Sequence, residues 1–261
     1  AIIRSTNLQP IIVERAMYLN SQGQTFGSGH ESAGITTPAT GWFFAEGSTG
    51  PYFDLFVLIA NPNGATLQVR AEYLLPTGTV VTRTYTVAAN SRFNIWVDLE
   101  DALLSDTAVS TTLTSLNGVT FIAERAMWWP GAIATWHEAH NSAGSVGPAG
   151  CWGLAEGEQG GPGNRQTFIL VANTAAVSSS VDVQLVFEGG GTSTRTFTVA
   201  PKSRFNVDVG VEFPAAAGRR FGALVGCTNV GPDLVVERAM YSNASGVVWA
   251  AGTNALGTPF P

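Results

Sequence analysis

The sequence predicts an all-β protein made of tandem antiparallel β-sandwich domains, of immunoglobulin-like or jelly-roll-like type. Three observations carry this prediction: a domain-sized internal repeat, alternation of apolar and polar residues with period two, and turn residues between the alternating runs. The composition agrees, because charged residues make up only 12% of the chain while glycine supplies 30 of its 261 residues.

A seven-residue motif occurs three times along the chain. It reads IVERAMY at 12–18, IAERAMW at 122–128 and VVERAMY at 235–241. Its glutamate recurs after 110 and then 113 residues, at positions 14, 124 and 237, and this spacing is the length of a small domain. The repeat is therefore a whole domain and not a short solenoid unit.

Two further motifs recur between these copies. WFFAEG at 42–47 returns as WGLAEG at 152–157, and SRFN at 91–94 returns at 203–206. We therefore expect the closing part of one repeat plus a linker over residues 1–41. A first sandwich is expected over 42–150 and a second over 151–261.

About eight strands are expected in each repeat. Apolar residues at 67, 69, 71, 73 and 75 alternate with mainly polar neighbours, and turn sequences such as NPNG at 61–64 separate the runs. Short helical turns are expected near 100–105 and 214–219, and Gly/Pro/Thr-rich linkers at 35–41 and 145–150. In the first repeat the predicted strands lie near 42–46, 54–61, 67–75, 80–88, 92–99, 108–115, 121–129 and 134–139.

Residues 1–35 correspond to the closing third of a repeat, so the chain is expected to be cut from a longer array. Their strand near residues 11–18 needs a partner, because unpaired backbone groups are costly. It is expected to pair with the first complete repeat, with the last repeat or with a neighbouring molecule.

Charge and motif content exclude several functional classes. The net charge of −6 and the single lysine, Lys202, argue against nucleic-acid binding, and no apolar run is long enough for a membrane-spanning helix. The nucleophile elbow, the phosphate-binding loop and the dinucleotide fingerprint are missing from the sequence. We therefore expect no enzymatic activity and no cofactor.

A family resemblance rests on the motifs taken together. WFFAEG, an apolar strand that ends in ANP, TRTYTV, SRFN, ERAMY and GHESAG resemble the tandem repeats of large secreted and surface-anchored bacterial proteins. The resemblance covers nearly the whole chain. It implies a non-catalytic β-sandwich module outside the cytoplasm and brings no catalytic residue with it.

The recurring charged residues are predicted to form a structural network of ion pairs and hydrogen bonds. Both faces of the strand at 121–129 are apolar, so Glu124 and Arg125 should be partly buried and must have partners. The alternative is a glycosidase-like acid pair of Glu46 and Glu124. On the structural interpretation, Glu124→Ala should cost about 3–5 kcal/mol. The predicted network contains Glu14, Arg15, Glu46, Arg83, Arg92, Glu124, Arg125, Glu156, Arg195, Arg204, Glu237 and Arg238.

The two cysteines are predicted to form a disulfide bond. Cys151 stands where the first repeat has Gly41, and Cys227 stands where it has Thr114, so two positions become cysteine together in one repeat. A bridge between neighbouring strand ends would explain this and would fit an oxidising compartment. Two free buried thiols are the alternative.

Two places contain residue types that bind metals. His137 and His140 with Glu138 could hold a metal, although their spacing differs from that of the zinc-protease helix. Ordinary loop packing explains these histidines better. Carboxylates at 98, 100 and 101 could hold calcium at a strand end, but the second repeat does not reproduce them.

Two tryptophans do not recur in the second repeat. Trp96 and Trp129 are replaced there by Asp208 and Ser242, so they could form a platform for sugars or could contact a neighbouring repeat. The expected function is a structural or adhesive repeat module, extracellular or at the cell surface, that self-assembles into a filament or surface layer. Its expected partners are neighbouring repeats or identical subunits. Binding of cell-surface polysaccharide is the alternative.

Overall fold

The computed structural model describes residues 1–21, 23–130, 136–227, 233–244 and 246–260. Short helical turns occur in these ranges at Val97–Leu99, Ala102–Leu104, Val209–Glu212 and Pro214–Ala216. The strands are β1 (Glu14–Ser21), β2 (Gln24–Ala33), β3 (Gly41–Phe44), β4 (Asp54–Asn61), β5 (Leu67–Leu74), β6 (Val80–Val87), β7 (Ser91–Trp96), β8 (Ser110–Ser115), β9 (Ile122–Trp129), β10 (Glu138–Ala143), β11 (Cys151–Leu154), β12 (Glu158–Gln159), β13 (Arg165–Asn173), β14 (Ser179–Phe187), β15 (Thr192–Val199), β16 (Ser203–Asp208), β17 (Arg219–Val225), β18 (Leu234–Ala244), β19 (Val247–Leu256) and β20 (Thr258–Phe260).

The all-β prediction is confirmed, and the same pair of antiparallel sheets occurs twice. In the first repeat the strand orders are β3-β8-β5-β6 and β10-β9-β4-β7. In the second repeat the equivalent strands give β11-β17-β14-β15 and β19-β18-β13-β16, with β20 added beside β11. The chain passes repeatedly from one sheet to the other, so each repeat is held together by its own connections.

Alternating side chains explain where the core lies. In β5, Leu67, Val69, Ala71 and Tyr73 are fully buried, while the residues between them are partly or fully exposed. This is the pattern of a strand with one face toward the core. Buried side chains from both sheets of each repeat belong to one hydrophobic cluster, which runs on from the first repeat into the second.

Residues before the first repeat form a hairpin of β1 and β2, which we call the N-terminal hairpin. It is the sequence equivalent of the β9–β10 and β18–β19 hairpins. Strand β2 packs against β10, and β10 packs in turn against β19. Within the described residues, therefore, the N-terminal hairpin docks on the first repeat and its strand β1 pairs only with β2.

Sequence periodicity located most strands of the first repeat to within one or two residues. The last predicted strand, 134–139, is wrong, because β10 begins at Glu138. Trp136 lies before the strand, and residues 131–135 fall outside the described part of the chain. The expected helical turns near 100–105 and 214–219 correspond to the short helices at Ala102–Leu104 and Pro214–Ala216.

The disulfide prediction is confirmed. Cys151 at the start of β11 is bonded to Cys227, two residues after the end of β17, with Cα atoms 4.5 Å apart. Gly41 and Thr114, the residues that the sequence alignment matches to the two cysteines, lie directly opposite each other in β3 and β8. In the second repeat Trp152 lies opposite Val225, as Trp42 lies opposite Leu113, so the strand register matches Thr114 to Gly226 and Cys227 follows one residue later. The disulfide indicates an oxidising environment.

Each helix of the described residues is far too short to cross a membrane.

Candidate functional site

The three copies of the seven-residue motif at 12–18, 122–128 and 235–241, which we call the ERAM motif, meet where the three hairpins pack side by side. Arg15 in β1 contacts Glu124 in β9 at 3.1 Å, and Arg125 in β9 contacts Glu237 in β18 at 2.8 Å. In both cases the arginine of one copy is paired with the glutamate of the next copy along the chain. The motif therefore joins successive repeats.

Arg125 is the centre of a buried charge cluster that we define as Glu46, Arg125, Arg204 and Glu237. Its Nη2 lies 2.8 Å from a carboxylate oxygen of Glu46 and 2.8 Å from one of Glu237. The side chains of these three residues are 1%, 3% and 0% exposed, and the backbone N–H of Ala45 donates to Glu237. Burial lowers the pKa of Arg125, but the two carboxylates outweigh burial and the net shift is upward. The guanidinium therefore stays charged.

Arg204 extends the cluster across the boundary between the repeats. It belongs to β16 of the second repeat, yet its Nη1 donates to the carbonyl oxygens of Gly47 and Val109 in the first repeat. Its side chain is buried, and the carboxylates of Glu46 and Glu237 act on it electrostatically. Two carboxylates and two guanidiniums thus balance each other inside the molecule, which is how buried charges are tolerated.

His140 and Tyr241 complete the polar surroundings of Glu46. The Nε2 of His140 lies 3.5 Å from a Glu46 oxygen, and the Tyr241 hydroxyl donates to the same oxygen at 3.4 Å. Burial, followed by the nearby Arg125, lowers the pKa of His140 well below its ordinary value. The imidazole is therefore neutral at physiological pH.

The ion pairs of the other two motif arginines are more exposed than those of Arg125. Arg15 is 44% exposed and its partner Glu124 is 21% exposed. Arg238 is 4% exposed, but its partner Glu156, 2.8 Å away, is 65% exposed. Glu14 is exposed beside the cavity described below.

Three arginines of the predicted network lie elsewhere. Arg83 pairs with Asp101 at 2.5 Å, and Arg195 pairs with Glu212 at 2.6 Å, so each is bound to a short helical turn of its own repeat. The expectation for Arg92 is wrong, because its exposed side chain forms no ion pair with a described residue, whereas the equivalent Arg204 is buried. The difference arises because Arg204 has an adjoining repeat to bury it.

Aromatic rings form a second contact between the repeats. Tyr52 and Phe53 of the first repeat pack on Trp249 of the second, with ring centroids 5.7 Å apart in both pairs. Trp129 lies in the same group, 5.5 Å from Tyr241. The prediction that Trp129 belongs to a sugar-binding platform is wrong, because its side chain is 1% exposed and its Nε1 donates to the Trp249 carbonyl.

Trp96 lies at the end of a row of aromatic rings that is partly open to solvent. Neighbouring centroids along the row Trp96, Phe56, Trp136, Trp128 are 5.3, 5.9 and 5.2 Å apart. Trp96 is 36% exposed, and the other three rings are partly buried. The Nε1 of Trp136 donates to Asp54, which fixes the orientation of the indole.

A cavity of about 430 Å³ lies among the three hairpins. Residues of β2, β10 and β19 line it, among them His30, His140 and Asn254, together with Glu14 of β1. Burial and, to a smaller extent, Arg15 lower the pKa of His30 to about 4, so this imidazole is also neutral. The cavity wall is therefore polar but carries little positive charge.

The carboxylates considered for calcium are bound by protein donors. Asp98 accepts the N–H of Gly50 and of Leu55 at 3.2 and 2.9 Å. Glu100 accepts the hydroxyl of Tyr85 at 2.7 Å. Asp101 caps the helical turn that follows and binds Arg83.

The histidines considered for a metal are separated by their environments. His140 is buried in β10 against Glu46, whereas His137 lies before the strand and is partly exposed, with Glu138 between them. Burial raises the pKa of Glu138 to about 7. Within the part of the chain that the structure describes, no group of histidine, cysteine and acidic side chains is arranged to hold a metal.

Sequence reasoning missed Tyr52, Phe53 and the partner role of Tyr241. Tyr241 lies in the third ERAM motif and could have been found there. Tyr52 and Phe53 have no aromatic counterparts in the second repeat, so the repeat alignment gave no signal for them.

Comparison with known proteins adds a distant structural similarity. No protein-family model matches this chain, and no curated protein matches it. The chain is similar to a solved structure described as "Crystal Structure of Thermotoga maritima 1070", with 14% sequence identity and a TM-score of 0.37. The match covers 42% of this chain and 96% of that chain.

Proposed function

We propose that this chain is a non-catalytic structural or adhesive module of the cell exterior, in which successive repeats are joined into a rigid array. The observation that carries the proposal is Arg125, which is buried between Glu46 of its own repeat and Glu237 of the next. Removing one member of such a buried set leaves an uncompensated charge, so the geometry favours keeping both repeats together.

The same geometry argues against the glycosidase alternative. Catalytic carboxylates must reach the bond that they cleave. Glu46 is 3% exposed and faces Arg125, while Glu124 is bound to Arg15 in another hairpin. The disulfide between Cys151 and Cys227 supports a location in an oxidising compartment, where such bonds persist.

Calorimetric unfolding tests the proposal. If the repeats act as one mechanical unit, the wild-type chain should unfold in a single transition whose calorimetric and van't Hoff enthalpies agree. Arg125→Met should separate the transition into two. Arg195→Met is the matched control, because Arg195 is 50% exposed and pairs within its own repeat. Two independent transitions in the wild-type chain would contradict the proposal.

Carbohydrate binding is the second candidate, and the row of aromatic rings that ends at Trp96 favours it. Partly exposed rings beside polar groups are surfaces on which sugar rings stack. Cell-surface polysaccharides should then quench tryptophan fluorescence, and Trp96→Ala should remove the response. Phe93→Ala is the control, because Phe93 is 37% exposed, against 36% for Trp96, and lies on the opposite face of β7. No response to any polysaccharide would exclude this candidate.

A further inference from the structure

The N-terminal hairpin has one strand edge that is filled in both of its equivalents. Strand β9 lies between β10 and β4, and β18 lies between β19 and β13. Strand β1 pairs with β2 on one side, and no described segment of the chain pairs with its other side. Its free N–H and C=O groups are a template for an added strand.

Side chains of β1 are exposed where their equivalents are buried. Met17 is 40% exposed, whereas Met127 and Met240 are 1% and 3% exposed. Tyr18 is 61% exposed, whereas its equivalents Trp128 and Tyr241 are partly buried and 4% exposed, respectively. Strand β1 therefore carries the same kinds of apolar and aromatic side chains as β9 and β18, which are paired with other strands along both edges.

The two filled edges define the same pairing. Strand β4 places Val57 opposite Arg125, and β13 places Ile169 opposite Arg238. An incoming strand should therefore place an equivalent aliphatic residue opposite Arg15. The register is fixed because a slip of one residue would turn every side chain to the wrong face.

The arginines of the motif point to the same kind of partner. Arg125 is bound by Glu46 and Arg238 by Glu156, and each of these glutamates follows the first strand of the arginine's own repeat. Arg15 is bound by Glu124 of the next copy and remains 44% exposed. A repeat that contributed a strand beside β1 would also bring the equivalent glutamate.

A second surface has the same requirement. Arg204 is buried because it donates to carbonyl groups of Gly47 and Val109 in the preceding repeat. Arg92, its equivalent in the first repeat, is exposed. One further repeat placed before the first, as the first is placed before the second, would cover Arg92 and complete β1 together.

We propose that the open edge of β1 and the exposed Arg92 form a docking surface for a further repeat unit of this same type. That unit adds a strand like β4 or β13 to β1 by antiparallel pairing. The inference rests on the proposed function, because it names the partner that would extend the array.

A synthetic peptide of residues 53–62 (FDLFVLIANP) with a lysine tail for solubility is the probe. It should bind the full chain with one-to-one stoichiometry and protect amide hydrogens of β1 from exchange. The control peptide carries proline at the positions of Val57 and Leu58, which prevents pairing along either edge. No added protection with the first peptide, or equal protection with both, would overturn the proposal.

Disulfide trapping tests the register. Phe56 lies opposite Ala126, the equivalent of Ala16, so Ala16→Cys in the chain should cross-link with a peptide carrying cysteine at the position of Phe56. Cysteine at the position of Val57 should react at least about tenfold more slowly, because it points to the opposite face. The native cysteines are bonded to each other and do not compete.

Equal cross-linking of the two peptides, or dimerisation of the chain through β1 in light scattering with no binding of peptide, would overturn the docking surface. A single calorimetric transition in the same preparation would then leave the proposed function intact. Two calorimetric transitions combined with peptide binding would contradict the proposed function and leave the docking surface intact. The two proposals therefore fail separately.

Discussion

The same arginine of the ERAM motif occurs in three environments, which shows how neighbouring elements decide what one side chain contributes. Arg15 is 44% exposed, while Arg125 and Arg238 are 1% and 4% exposed. A solvent-exposed ion pair is screened and adds about 0–1 kcal/mol. Removing a buried charge leaves its two carboxylate partners uncompensated, which strongly lowers the free energy of unfolding.

Arg125→Met should therefore lower the free energy of unfolding by about 3–5 kcal/mol, because it removes the cation that lies 2.8 Å from both buried carboxylates, those of Glu46 and Glu237. Arg15→Met, the same substitution at the equivalent exposed position, should cost about 1 kcal/mol or less. Urea unfolding of both variants measures the difference. Equal losses would show that burial of Arg125 has no special role.

The position of Glu124 changes the expectation drawn from its sequence pattern. The predicted cost of about 3–5 kcal/mol for Glu124→Ala assumed a buried pair. Its partner Arg15 is 44% exposed, so a cost of about 1 kcal/mol is expected instead. Chemical denaturation of this variant distinguishes the two values.

Stability should fall in acid because of two histidines. His30 has a folded-state pKa of about 4, and the pKa of His140 is also lowered, whereas both are near 6.5 in the unfolded chain. Below pH 6.5 the unfolded chain binds more protons, so the free energy of unfolding decreases as the pH falls toward 4. Glu138, with its raised pKa, acts in the opposite direction between pH 4.5 and about 7.

Comparing urea unfolding at pH 7 and pH 5 tests this dependence. The double variant His30→Gln/His140→Gln should lose less stability between these pH values than the wild-type chain. Glu138→Gln should lose more than the wild-type chain, since it removes the opposing group. Identical losses in all three proteins would contradict the assignment.

At the level of single elements, the local pattern of the sequence was sufficient for strands whose apolar residues alternate cleanly. β5 and β6 match their predicted ranges within one residue. β10 does not, because Trp136 lies just outside the strand and packs against Trp128 and Phe56. The position of Trp136 depends on packing with residues that are distant in the sequence, and the alternation of apolar and polar residues does not predict such contacts.

The disulfide is the clearest case in which comparison of repeats predicted a contact. Replacing Cys151 by glycine and Cys227 by threonine removes the bridge and introduces the residues that the sequence alignment places at these positions in the first repeat. The double variant should lose about 2–4 kcal/mol of stability, because the unfolded chain is no longer cross-linked. Thermal unfolding with and without reductant measures this. A reductant effect that persists in the variant would contradict the assignment.

For the whole molecule, internal repetition gave the residues of the network but not their partners. The alignment shows that Glu237 and Arg125 recur, yet it treats every copy alike. Which copy an arginine contacts depends on how neighbouring repeats pack, and that is decided by β2, β10 and β19 together. The contact between Arg204 and the carbonyls of the first repeat could not be predicted for the same reason.

A double-mutant cycle on Arg125 and Glu237 tests most directly whether buried charge joins the two repeats. Free energies of unfolding are measured for the wild-type chain, Arg125→Met, Glu237→Gln and the double variant. A coupling energy of about 1.5–3 kcal/mol is expected, because each partner compensates the charge of the other. Additive losses, within about 0.5 kcal/mol, would contradict it.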